Sequence, residues 1–354
     1  MTMSNAFRDL LKKVGSGVHT GENLSRAEAK AATKMILLQE ATPAQIGAFL
    51  IAHRIKRPTG EELAGMLDAY DEIGPHLQPI ESRRPIVLGV PYDGRSRTAP
   101  ISPLTALLLT AAGQPVVMHG SDRMPTKYGV PLVDIWQGLG VNWTGLSLAQ
   151  TQQVFNTTGM GFIYLPQHFP EAATIFDFRD QIGKRPPFAT MELIWCPYAG
   201  DAHIISGFVH PPTESMFQVA CAMRGTKCLT TVKGLEGSCD LPRERTAIIG
   251  MSSPNTPSLE RLLLVPRDYG VGSTNVPLSE TPQLVEDMAA LLQGKPSELM
   301  QSALWNSGFY LWRSGICPDI RAGIVKAEVL LTSGQVTQKL QEIRQSLTFL
   351  TNKR

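Results

Sequence analysis

Apolar positions in the first 75 residues fall at helical spacing. Leu63, Met66, Leu67 and Tyr70 share one helical face, and Thr59-x-x-Glu62 places a capping box in front of them. Ser25-x-x-Glu28 is a second such box and opens a helix expected to run to about Gln39. Thr42-Pro43 joins an N-cap to a first-turn proline, for a helix ending near Arg57. The stretch from Met1 to Gly17 is charged and amphipathic. Together these features predict four short helices and a small all-helical domain over residues 1–75. One helix pair is expected to leave an apolar face for a partner.

Gly74-Pro75-His76 to Pro85 reads as a linker, and the pattern then changes. Short β-type runs, at 86–90, 115–119, 161–165, 203–209 and 227–232, alternate with helices starting near Ile101, Leu148, Pro170 and Pro212. Alternation at this spacing predicts an α/β class. The larger domain, residues 80–354, should hold a mostly parallel central sheet flanked by helices, with right-handed crossovers. Helices within about 167–188 are expected to join the amino-terminal domain. After Gly250 several prolines predict a less regular region. Helices return at 281–292, 297–313, 320–331 and 336–350.

Composition narrows the class. The chain has 354 residues, 43% of them hydrophobic, enough for a sizeable core. A net charge of +2 does not mark a nucleic-acid binder, so any basic surface must come from segregated charge. Five cysteines without a Cys-x-x-Cys pair read as reduced thiols of a cytoplasmic protein, and the scattered histidines show no zinc spacing. No signal peptide is visible at Met1 to Gly17, and no apolar run reaches the ~18 residues that span a bilayer, so no membrane role is expected.

The stretch with most chemical content is Gly89-Val90-Pro91-Tyr92-Asp93-Gly94-Arg95-Ser96-Arg97-Thr98, which follows a predicted strand. Ligands of α/β folds sit at such carboxyl ends. A phosphate cradle there needs glycines so that backbone N–H groups can approach the anion. Pro91 removes a donor and Tyr92 adds bulk.

In this layout the chain resembles the anthranilate phosphoribosyltransferase family. Members carry a Gly-Thr-Gly-Gly-Asp loop for the diphosphate of phosphoribosyl pyrophosphate and a Lys-His-Gly-Asn-Arg segment after the next helix. Here Gly89, Asp93 and Gly94 hold the loop frame, while Val90-Pro91-Tyr92 replaces Thr-Gly-Gly. The Asn-x-Ser-Thr helix start reads Pro100-Ile101-Ser102-Pro103. His119-Gly120 remains, Arg123 is displaced by one position and Lys127 is in register. Arg179 matches the arginine that holds the anthranilate carboxylate; an ordinary helix-surface arginine is the alternative reading. The Asp-Glu pair for Mg²⁺ is reduced to Glu236 in Gly234-Leu235-Glu236-Gly237, with Asp240 nearby. The chain is still more similar to a divergent branch, the YbiB-like proteins, through Pro85-Ile86-Val87, Tyr92, Gly94, Pro103-Leu104, Pro115-Val116-Val117, His119-Gly120 and Ile51-Ala52-His53-Arg54-Ile55-Lys56. That resemblance implies a homodimer that binds nucleic acid and lacks transferase activity.

Basic residues are the positive signal. Between Ser82 and Ser121 the sole acid is Asp93, against Arg83, Arg84, Arg95 and Arg97. Arg123, Lys127, Arg179, Lys184, Arg185, Lys227 and Lys233 fall at expected loop or strand ends and would ring the same cleft. Such a groove would bind phosphodiester backbone, single- or double-stranded, with little sequence preference. Tyr92, Trp136 and Trp143 are stacking candidates, the two tryptophans also fitting a core. Two functions stay open. One is a nucleic-acid-binding homodimer that requires no cofactor. The other is a phosphoribosyltransferase with an anthranilate-like or other aromatic acceptor, using Mg²⁺. A protein-binding dimer using the same cleft is a third.

Overall fold

The computed structural model describes residues 3–17, 19–254 and 256–351; the outermost residues of the two expected domains lie outside this set. Four helices come first: α1 (Met3–Gly15), α2 (Arg26–Leu37), α3 (Pro43–Lys56) and α4 (Gly60–Ile73). Ser25, Thr42 and Thr59 each close a capping box. The Glu62 box does more than cap. Its buried carboxylate also accepts the Leu24 N–H at 2.8 Å and the Lys56 ammonium at 2.8 Å, which ties α2, α3 and α4 together. Burial works to raise the Glu62 pKa, but His53 and Lys56 overcome it and hold it at about 2.

Seven strands follow in one mixed sheet: β1 (Ile86–Gly89), β2 (Val116–Gly120), β3 (Met160–Tyr164), β4 (His203–Gly207), β5 (Cys228–Val232), β6 (Ala247–Ser253) and β7 (Thr256–Leu264). Their spatial order is β3-β2-β1-β4-β5-β6-β7, with β1 to β5 parallel and the last two antiparallel. The α/β class and the mostly parallel sheet are as the alternation predicted. Side chains alternate across the sheet as strand geometry requires. Ile86, Leu88, Met118, Phe162 and Ile205 pack under the carboxy-terminal helices. Val87, Val117, Ile163 and Ile204 pack with α1–α4 and residues 165–195.

The region after Gly250 departs from expectation. It forms the β6–β7 hairpin, with Pro254 in the connecting turn. Pro257 lies on the edge strand, where a missing N–H does not interrupt the sheet. Among the described residues, no helix is long and apolar enough to cross a membrane.

Gly89 ends β1 against the backbone of residue 193. A Cβ there would lie 1.9 Å from the Leu193 carbonyl oxygen, and the other obstacles are backbone as well. Gly89→Ala is therefore expected to destabilise the fold by about 3 kcal/mol or more. Urea denaturation of the variant against wild type measures it.

Candidate functional site

Strand order reverses between β1 and β4, because β1 connects outward to β2 on one side and β4 leads to β5 on the other. Such a switch point opens a crevice at the carboxyl ends of the strands. Here it is a cleft of about 1060 Å³. Loops after β1, β2, β4 and β5 supply its floor through Pro91–Arg97, Lys127, Phe208–Thr213 and Glu236. The end of α3 and residues 183–190 supply its rim.

The loop after β1 is a tight turn. Gly94 donates its N–H to the Pro91 carbonyl at 3.1 Å and adopts φ +74°, a left-handed conformation suited to glycine. The turn sends successive arginines in opposite directions. Arg95 points inward and is 4% exposed, whereas the Arg97 side chain is 77% exposed. The Arg95 guanidinium donates to Asp240 at 2.7 Å, to Ser238 at 2.7 Å and to Glu236 at 3.4 Å. Arg95 thus ties the loop after β1 to the loop after β5 and is not free for a ligand, contrary to its expected place in a basic groove. Asp240, at the far side of this guanidinium, also accepts the Ile101 N–H at 3.0 Å.

Glu236 sits in the left-handed region, φ 53° and ψ 26°, where a residue other than glycine is uncommon. From there its carboxylate accepts the backbone N–H groups of Ser96, Arg97 and Thr98 at 3.3, 3.1 and 3.0 Å. Lys127 approaches it to 3.4 Å. Burial works to raise its pKa, but Arg95, Thr98 and Lys127 hold it far below the usual carboxylate range. Burial and the Arg185 guanidinium push Lys127 below its ordinary value. Mg²⁺ seeks oxygen ligands and keeps several waters. The Glu236 oxygens face cations and N–H donors instead, and Asp240 is spent on Arg95. The residues present do not fit a Mg²⁺ site. Among the described residues no group of three or more metal-ligating side chains occurs.

Asp93 is buried and bound by Arg185, whose Nε donates to it at 2.6 Å. That ion pair joins the floor to the rim. Arg179 is neither a surface arginine nor unpaired. It borders the cleft at 1% exposure and meets the buried Glu192 at 3.2 Å. Burial raises the Glu192 pKa to about 7, against the pull of Arg179. His119 faces inward too. It is fully buried, shares a 2.5 Å hydrogen bond with the Tyr92 hydroxyl, and packs on Trp195. Burial lowers its pKa to about 3 and so keeps it neutral.

Several expected site residues lie elsewhere. Arg123 pairs with Asp134 at 3.6 Å. Lys233 is half-buried at the end of β5, outside the cleft lining. Arg83, Arg84 and Lys227 precede strands and lie at their amino ends, where Arg84 and Lys227 share Asp201. Ser102 is buried at a helix start, and Gly120 packs near the Phe162 ring. Trp136 and Trp143 are fully buried core. Arg54 and Arg57 reach the rim from α3 and were not among the expected residues. The matched segment around His53 contained Arg54, but only the packing of α3 over the sheet brings it to the cleft. Seven basic side chains line the cleft, Arg54, Arg57, Arg97, Lys127, Arg179, Lys184 and Arg185, against the carboxylates of Asp93 and Glu236.

Glu192 gives the fold a pH dependence of definite sign. Its folded pKa, about 7, lies above the ordinary 4.5, so between those values the folded chain keeps a proton that the unfolded chain has lost. Stability contributed by this group is present below pH 4.5 and falls as pH rises to about 7. Glu192→Gln is expected to flatten that slope. Chemical denaturation of both forms across the window checks it.

Two family models match the chain. One is described as the glycosyl transferase family helical bundle domain, over residues 8–74. The other is the glycosyl transferase family a/b domain, over residues 93–337. An anthranilate phosphoribosyltransferase of Chromobacterium violaceum is 29% identical over 91% of this chain and 94% of its own. One of Acetivibrio thermocellus is 28% identical over 94% and 95%. The Saccharomyces cerevisiae anthranilate phosphoribosyltransferase, solved in complex with PRPP and Mg, superposes with a TM-score of 0.83 at 18% identity over 98% of this chain and 99% of its own. The Thermus thermophilus enzyme superposes at 0.79 with 21% identity, over 96% and 99%. The helical layer, the switch-point cleft and these matches together place the chain in the glycosyl transferase family, as an anthranilate phosphoribosyltransferase-like protein.

Proposed function

We propose that this chain is a non-catalytic member of its family, a homodimer that binds nucleic acid with little sequence preference and requires no cofactor. The observation that carries this reading is the state of the cleft floor. Pro91 and Tyr92 stand where a diphosphate cradle needs glycine N–H groups, and the oxygens of Glu236 are already engaged. What remains open to solvent is a basic rim. Arg54, Arg57, Arg97 and Lys184 are exposed there, and a cleft lined by one sign of charge attracts a polyanion. The homodimer rests on the resemblance and on Leu38 and Ile55, apolar side chains 45% and 66% exposed on the helical layer. The five unpaired thiols agree with the cytoplasm.

The second reading is an active transferase that passes phosphoribosyl to an aromatic acceptor with Mg²⁺. Lys127 and Arg179 in the cleft favour it. Against it, Glu192 already neutralises Arg179, so an acceptor carboxylate would meet a buried, paired guanidinium.

Fluorescence anisotropy of a labelled single-stranded oligonucleotide separates the two, run across salt concentrations with and without phosphoribosyl pyrophosphate and Mg²⁺. Tight, salt-steep binding indifferent to the small ligands is expected. Arg54→Ala and Arg97→Ala should each weaken binding and lower the logarithmic salt slope by about 1. No binding at low salt would sink the nucleic-acid reading. Sedimentation velocity in the same buffers reads the dimer.

A further inference from the structure

Seven donors surround the Glu236 carboxylate within 3.4 Å. Three are the successive backbone N–H groups of Ser96, Arg97 and Thr98. Two are the hydroxyls of Ser96 and Thr98, at 3.2 and 2.9 Å. The last two are Arg95 Nε and Lys127 Nζ, each at 3.4 Å. An ionised carboxylate offers about four lone-pair sites. The donors therefore outnumber what their occupant can accept. Successive N–H groups converging on one point form a concavity that favours anions, and two cations face the same point. A phosphate, with more oxygens and more charge, matches this donor set better than the side chain that fills it.

Glu236 reaches the spot from the β5 loop with its own backbone and that of Gly237 in the left-handed region, φ 53° and +83°. Its carboxylate is 3% exposed, while the cleft above it is open.

We propose that Glu236 is a built-in anion: it occupies a latent phosphate-binding nest at residues 96–98, excludes free phosphates and diphosphates from the cleft floor, and leaves only the rim to an extended polyanion. This selectivity rests on the cleft being an anion site, as read above, and not on nucleic acid being the anion. Arg97 serves both levels: its N–H belongs to the floor and its guanidinium to the rim.

The test is calorimetric titration of the full chain with inorganic pyrophosphate in metal-free buffer, on wild type, Glu236→Gln and Glu236→Gly. Glycine suits the positive φ and empties the nest; glutamine keeps the shape and removes the charge. Wild type is expected to show no binding at millimolar pyrophosphate. The glycine variant should bind at least about tenfold more tightly than wild type, with glutamine between. Wild type binding as tightly as the glycine variant would overturn the proposal. So would a folded glycine variant, by its circular dichroism melt, that binds no better than wild type. Oligonucleotide anisotropy on the same samples keeps the two readings apart, since loss of oligonucleotide binding in every form would sink the nucleic-acid reading while a pyrophosphate gain would stand. If neither variant folds, amide hydrogen exchange of wild type decides. Slow exchange at 96–98, unchanged by pyrophosphate, supports the built-in anion, and fast exchange there overturns it.

Discussion

One guanidinium holds the site together. Arg95 stands between Glu236 and Asp240, and both carboxylates depend on it. A buried charge without a partner is costly, so the three groups stay together or fail together. The loops they join follow β1 and β5, which flank β4 in the sheet. The knot therefore bridges across a strand and sets the floor of the switch-point cleft as one rigid piece. Pairing Asp93 with Arg185 adds the rim segment to that piece.

This arrangement divides the cleft into a satisfied floor and an unsatisfied rim. On the floor, each carboxylate has its cation or its N–H groups, and His119 is neutral. At the rim, long basic side chains extend into solvent at little cost and can follow a flexible ligand. A floor of this kind resists the close, directional contacts that phosphoryl or glycosyl chemistry draws on. A rim of this kind suits binding that depends on charge and tolerates variation in shape.

Much of the fold was legible because its signals are local. The three capping boxes set the starts of α2, α3 and α4, and the strand starts and ends fell within a few residues of their β-type runs. The β6–β7 hairpin was not legible, since its prolines argue against regular structure until the turn and the sheet edge are known. The site was legible as a loop and misread as a charge distribution. Arg95 and Arg97 are equivalent in sequence, yet the turn at Gly94 directs one into the core and the other to solvent. The signal that could have told them apart was distant: Glu236 and Asp240, two acids on one loop, imply a cation opposite. Glu192, thirteen residues beyond Arg179, was the comparable missed partner.

Gly89 has a meaning for how such a motif decays. Packing against Leu193 alone requires a glycine at that position, whatever the cleft binds. Two positions on, Pro91 and Tyr92 show that the residues facing the ligand carried no such demand. The letters of the family's loop thus belong to two inheritances. The first glycine is a debt to architecture and outlives a change of trade, while its neighbours answered to a ligand and drifted once that ligand no longer governed them. A motif that has kept its first letter and lost its middle is the written trace of a scaffold retained after its original chemistry was released.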